Sequence, residues 1–108
     1  MEKLYRVMLA NSSEDYSVSL AATLKQSERY AVVGYANDGI RAADLLRELK
    51  PEILVVDMML PQADGISVIK AANSMEKKPM LLVLADFMTE FVSSLLVSLG
   101  VQYVLLKP

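Results

Sequence analysis

The sequence predicts an α/β fold, a five-stranded parallel sheet with helices wound on both faces, and three observations carry that expectation. Apolar runs of strand length recur along the chain. Segments whose apolar residues return at helical spacing separate them. The punctuation between the two kinds of segment is tight, with no linker, repeat or low-complexity stretch, so connections are short and the crossovers right-handed. A chain of 108 residues, 54% of them hydrophobic, can bury one compact core, and residues 1–108 are read as one domain.

Tyr5–Ala10 (YRVMLA) reads as the first strand. Asn11, Ser12 and Ser13 follow as cap residues, with Glu14 and Asp15 in the acidic first turn of a helix running to about Ser27. Tyr16, Leu20 and Leu24 share one face of it. Residues 31–36 (AVVGYA) are the second strand, and Asn37, Asp38 and Gly39 turn the chain into a helix whose inner face is Ala42, Leu45, Leu46 and Leu49. Pro51 stops that helix, and residues 53–56 form a wholly apolar strand ending in Asp57.

Asp64 and Gly65 are turn and cap for a third helix bearing Val68, Ile69, Ala72 and Met75. Residues 80–85 form the fourth strand after Pro79, and a helix over about residues 88–99 closes at Gly100. Tyr103–Leu106 is the fifth strand, followed by Lys107 and Pro108. Met8, Met75 and Met80 are expected to fill the core, and Met58, Met59 and Met88 to line loops as a contact surface.

Composition excludes several chemistries. The chain has no cysteine and no histidine, so disulfides, thiolate metal sites, cysteine nucleophiles and histidine-based acid–base relays are all absent. A cysteine-free composition fits a reducing cytoplasm, which is the expected location. The net charge of -2 makes no electrostatic case for nucleic acid or an anionic membrane surface. Any chemistry runs on carboxylates, lysines, hydroxyls and backbone.

In open parallel sheets the ligand crevice lies beyond the carboxyl ends of the strands, where strand order reverses. The residues placed there are Ala10 to Ser12, Asp57, Ala85, Asp86 and Lys107. Three segments at these ends, ILVVDMMLPQADG (residues 53–65), LLKP (residues 105–108) and VVGYANDG (residues 32–39), are similar to the receiver domain of two-component response regulators. The resemblance covers essentially the whole chain and implies the flavodoxin-like, CheY-like arrangement of that family. By the same resemblance Asp57 stands in the phosphoacceptor position, and Lys107 is the lysine that neutralises charge on the phosphorylated carboxylate.

The chain departs from the family at three places. Asn11 and Ser12 replace the acidic pair that holds Mg²⁺, Ala85 replaces the threonine or serine that bonds a phosphoryl oxygen, and Asp86 adds a charge that would repel phosphate. For Mg²⁺ there remain Asp57, the backbone carbonyl of Met59 and the amide oxygen of Asn11, a weak donor set for a reluctantly dehydrated ion. Asn11 and Ser12 also read as helix caps, and Asp57 as a carboxylate kept as the ion-pair partner of Lys107. The family's switch aromatic falls on Val104, and Tyr103 lies on the opposite face of that strand.

From residue 87 to 106 Glu90 is the only charge, and apolar side chains spread around much of the fourth helix. Receivers carry a fifth helix after the Lys-Pro, and this sequence stops before it. Either the chain was cut ahead of its last helix, or the surface of residues 88–106, beginning at Met88, pairs with a second copy as a homodimer. The expected function is that of a non-enzymatic signal receiver with weak or no phosphorylation at Asp57, working by protein contacts on an output domain such as a DNA-binding transcription regulator. The alternatives are a working phosphoacceptor, partnered by a histidine kinase or phosphotransfer protein, and a small flavodoxin-like cofactor-binding enzyme.

Overall fold

The computed structural model describes residues 3–107; Met1, Glu2 and Pro108, the proline of the LLKP segment, lie outside the described residues. Five strands alternate with four helices: β1 (Tyr5–Ala10), α1 (Glu14–Gln26), β2 (Tyr30–Ala36), α2 (Gly39–Leu49), β3 (Ile53–Asp57), α3 (Gly65–Asn73), β4 (Met80–Ala85), α4 (Glu90–Ser98) and β5 (Tyr103–Leu106). All pairings are parallel and the sheet order is β2-β1-β3-β4-β5. Strand order reverses between β1 and β3, which opens a crevice at the ends occupied by Asn11 and Asp57. The expected α/β, flavodoxin-like sheet is therefore the one observed.

Each helix starts on a side chain that accepts a backbone N–H three residues on. Ser13 caps α1 through Tyr16 N (3.1 Å), Asp38 caps α2 through Arg41 N (2.7 Å), Asp64 caps α3 through Ser67 N (2.9 Å) and Thr89 caps α4 through Val92 N (3.1 Å). Two expectations are corrected here. The cap of α1 is Ser13 and not Asn11 or Ser12, because the Asn11 side chain is turned back on its own loop. The fourth helix begins after Thr89 rather than at Met88, because the threonine hydroxyl satisfies the first free amides.

The sheet separates two apolar layers. On one side Met8, Leu54, Val56, Leu81 and Val83 meet Ala42, Leu45 and Leu46 of α2, Val68, Ile69 and Ala72 of α3, and Leu96 of α4. On the other side Val7, Leu9, Val55 and Leu84 meet Tyr16, Leu20, Ala21 and Leu24 of α1. Among the described residues α1 is the one helix on that second face, and it packs over β2 and β1. Ile53, Val55, Met80, Leu82 and Tyr103 consequently line an open apolar groove together with Tyr5, Leu24 and Tyr30.

That geometry overturns the expectation for Met80, which is exposed rather than core filler because α1 lies over β2 and β1 and leaves the β4 end of that face uncovered. Met58 and Met88 depart in the other direction and pack against the larger core, leaving Met59 as the exposed member of the three. The fourth helix is only partly unpartnered: Leu96 is buried, Val92 and Leu99 are half-buried, and Phe91 and Val97 point to solvent at 77% and 71% exposure. All four residues of β5 are exposed.

The loop after β3 is held by backbone contacts at two glycines. Gly65 N donates to Met58 O (3.0 Å) and Gly39 N to Pro61 O (2.9 Å), so the starts of α3 and α2 clasp the loop from both sides. A methyl on Gly39 would fall on the Ala63 carbonyl and 2.8 Å from Ala63 Cα, and one on Gly65 would lie 2.6 Å from Met58 Cα. Backbone cannot yield as a side chain does. Gly39→Ala and Gly65→Ala are each expected to cost about 1–3 kcal/mol in urea denaturation. Gly34→Ala, which meets only the side-chain ends of Leu49 and Leu45, should cost less; equal losses at all three would show that the loop is not clasped in this way.

Candidate functional site

Asp57 closes β3, the central strand, and the two flanking strands with their helices seal its side chain completely. Ile53, Leu54, Val55 and Val56 form an unbroken apolar run because both faces of β3 are buried, and the run delivers the carboxylate to the crevice. A charge taken fully out of water needs partners. Asp57 Oδ1 accepts the Met59 amide at 2.9 Å, and Oδ2 accepts from Lys107 Nζ in a hydrogen-bonded ion pair. The sequence-predicted acceptor and lysine are thus brought together.

Lys107 is carried to the site by the end of β5, where its backbone N–H donates to Ala85 O at 2.9 Å. Its ammonium also lies 3.3 Å from Asp86 Oδ1, so one cation sits between two carboxylates. Burial of the lysine acts to lower its pKa, but the hydrogen bond and charge of Asp57, then those of Asp86, outweigh it and hold the ammonium above its ordinary value. Asp86 as a partner of Lys107 was not foreseen. The sequence marked it only as a charge opposed to phosphate, and the signal was its place one residue past β4, level with the end of the neighbouring strand.

Ala85 is buried at the end of β4 and brings no hydroxyl to the crevice. Asn11 is buried at 4% exposure, and its Oδ1 accepts the Ser13 amide at 2.8 Å. That bond fixes the orientation of the amide, leaving Nδ2 buried with no hydrogen-bond partner among the described residues. Ser12 is exposed. A divalent cation needs several oxygen donors, yet the side chains here supply one carboxylate, Asp57, the Asn11 oxygen already accepts an amide, and the free group at Asn11 is an N–H donor. Among the described residues no group of three or more acidic, histidine or cysteine side chains is placed to hold a metal ion. The side chains present therefore fit Mg²⁺ poorly; the Met59 N–H bonds Asp57, and its backbone carbonyl stays as an expected donor.

Val104 and Tyr103 lie on opposite faces of β5, as their alternation requires, and Tyr103 joins the apolar groove with Leu82, its neighbour in register. The groove's far wall is the Tyr5–Tyr30 pair, with ring centroids 6.3 Å apart.

Removing one member of a buried pair strands the other. Lys107→Met is expected to cost about 3 kcal/mol, since Asp57 is left charged and unpaired, whereas Asp57→Asn frees a lysine that still reaches Asp86 and water and should cost about 1 kcal/mol. Because the folded-state pKa of Lys107 lies above its ordinary 10.5, its contribution is complete below that value and is lost as pH rises through the folded value. The stability gap between wild type and Lys107→Met, read from urea curves, should hold constant from neutral pH and close only in strong alkali. A gap that already closed between neutral pH and mild alkali, below the ordinary lysine value, would contradict this assignment.

Comparison with known proteins agrees with this geometry. The signal receiver domain of the response regulator NarL from Mycobacterium tuberculosis superposes with a TM-score of 0.88 at 24% identity, over 96% of this chain and 84% of that one. The response regulator domain of CheB from Thermotoga maritima gives 0.88 at 24% identity, over 98% and 80%. At such identities these likenesses speak to the fold. In sequence, the chain is 29% identical over 107 residues to protein-glutamate methylesterase/protein-glutamine glutaminase 1 of Methanospirillum hungatei JF-1, covering 97% of this chain but only 31% of that protein. Residues 7–108 match the response regulator receiver domain. That match spans nearly the whole chain and its five-stranded parallel sheet, and the chain belongs to the response regulator receiver domain family.

Proposed function

We propose that this receiver works chiefly through protein contacts, with weak or no phosphorylation at Asp57, and that it governs an attached output domain such as a DNA-binding transcription regulator. One observation carries the reading: both oxygens of Asp57 are satisfied from within the protein, while the neighbouring positions supply an amide donor at Asn11 and a methyl at Ala85. Phosphoryl transfer rests on positioning and charge neutralisation, and this crevice offers one shared lysine for both. The domain has no turnover of its own in this reading, and its place is the cytoplasm, in keeping with its cysteine-free composition. No described helix is long and apolar enough to cross a membrane.

A second reading has support of its own. Asp57 stands at the end of the central strand with Lys107 upon it, so a histidine kinase or phosphotransfer protein that brought its own charge compensation would find an acceptor in place. The two readings separate in an NMR titration with beryllofluoride, a phosphoryl mimic, in the presence of Mg²⁺. We expect the triple variant Asn11→Asp, Ser12→Asp, Ala85→Thr to saturate, with shifts lost when Asp57→Ala is added, while the wild type stays far from saturation over the same range. Saturation of the wild type itself would favour the working phosphoacceptor.

The contact surface in this reading is residues 88–106. From residue 91 to 106 there is no charge, Phe91 and Val97 point outward, and β5 is an edge strand exposed on both faces without the lysine or proline that usually protects such an edge. Two copies can therefore approach here without like-charge repulsion. Sedimentation should show a concentration-dependent dimer for the wild type and a monomer for Val104→Lys; a wild-type monomer at the highest attainable concentration would exclude this surface.

A further inference from the structure

We propose that Asp86 is a built-in competitor for Lys107, a positioning residue that keeps the site's one cation shared between two carboxylates and so holds down the affinity of Asp57 for a phosphoryl group. The inference rests on the reading of Asp57 as the acceptor position.

Adjacent strand ends create the arrangement. Leu106 pairs in register with Ala85, Lys107 N bonds to Ala85 O, and the side chains of the next residues, Asp86 and Lys107, are thereby set side by side. The ammonium bonds Asp57 Oδ2 and lies 3.3 Å from Asp86 Oδ1. Asp57, Lys107 and Asp86 together carry one net negative charge. Ala85, the residue before Asp86, has no polar atom on its side chain, so the side-chain acceptor that meets the Lys107 ammonium from the end of β4 is the Asp86 carboxylate.

When Asp57 attacks a phosphoryl donor, an O–P bond forms as the bond from phosphorus to the leaving group breaks, and the leaving group keeps the electron pair. The single charge of the carboxylate becomes the roughly -1.5 to -2 of a phosphorylated side chain. That added charge needs Lys107 free of other partners, and it grows beside Asp86, whose own charge stays. Asp86 is half-exposed, at 50% for its side chain, so its repulsion is near the water-like limit of Coulomb's law at contact distance. This corresponds to about fivefold to tenfold in anion affinity.

The test is the initial slope of the beryllofluoride titration, which reports relative affinity without saturation. Asp86→Asn should steepen the slope about fivefold to tenfold, and Asp86→Glu, which restores the charge, should keep it near the wild-type value. The gain should shrink as salt is raised, because an exposed charge is screened and a packing change is not. Equal slopes for wild type and Asp86→Asn, or a gain undiminished in concentrated salt, overturn the role of Asp86. A slope untouched by Asp57→Ala in the Asp86→Asn background overturns the acceptor reading beneath it, and this proposal with it.

Discussion

A carboxylate buried to complete exclusion from water, with a lysine as its one cationic partner, is the constraint on which the rest of the structure depends. Asp57 sits at the end of β3 and Lys107 at the end of β5, so the pair reaches over β4 and ties the central strand to the edge. The edge needs that tie. Every residue of β5 is exposed, and its attachment to the sheet rests on backbone pairing with β4, the Gln102 oxygen that accepts Leu81 N at 2.9 Å, and the bond from Lys107 to Asp57. An unpaired charge in the centre of the sheet would be far costlier than the fixing of one lysine side chain.

The same pair explains why the crevice is poorly suited to a second charge. The charges and polar groups of this crevice are engaged with one another: an amide and an ammonium on Asp57, a second carboxylate on the ammonium, and a loop amide on the Asn11 oxygen. Among the described residues the buried Asn11 Nδ2 is the one loose end, a donor without an acceptor. Polar groups that satisfy each other inside a protein rigidify it.

That surface is unusual on both sides of β5. Toward α4 it presents Phe91 and Val97 above a helix that buries little more than Leu96, and toward α1 it presents the groove of Ile53, Val55, Met80, Leu82 and Tyr103. Apolar area of this kind gains by leaving water, and the absence of charge from residue 91 to 106 removes the usual obstacle to doing so.

Most of the fold was legible in the residues, because local rules decide it. The bounds of β1, β4 and β5 follow from apolar runs between turn residues, and the inner face of α2, with Ala42, Leu45 and Leu46 buried, follows from helical period alone. The family motif placed Asp57 and Lys107 at the ends of the third and fifth strands. What the residues did not disclose is where side chains of one type go when neighbours choose for them. Met80 reads like Met8, yet one is exposed and the other buried, since only packing says which part of the sheet no helix covers. Asn11 and Ser13 are both good caps, and a single hydrogen bond decided that Ser13 takes α1 while Asn11 folds back on its amide. Asp86 looked like a charge set against phosphate; only the register of β4 with β5 made it a partner of Lys107, because a contact between residues 21 positions apart belongs to the sheet and not to the sequence.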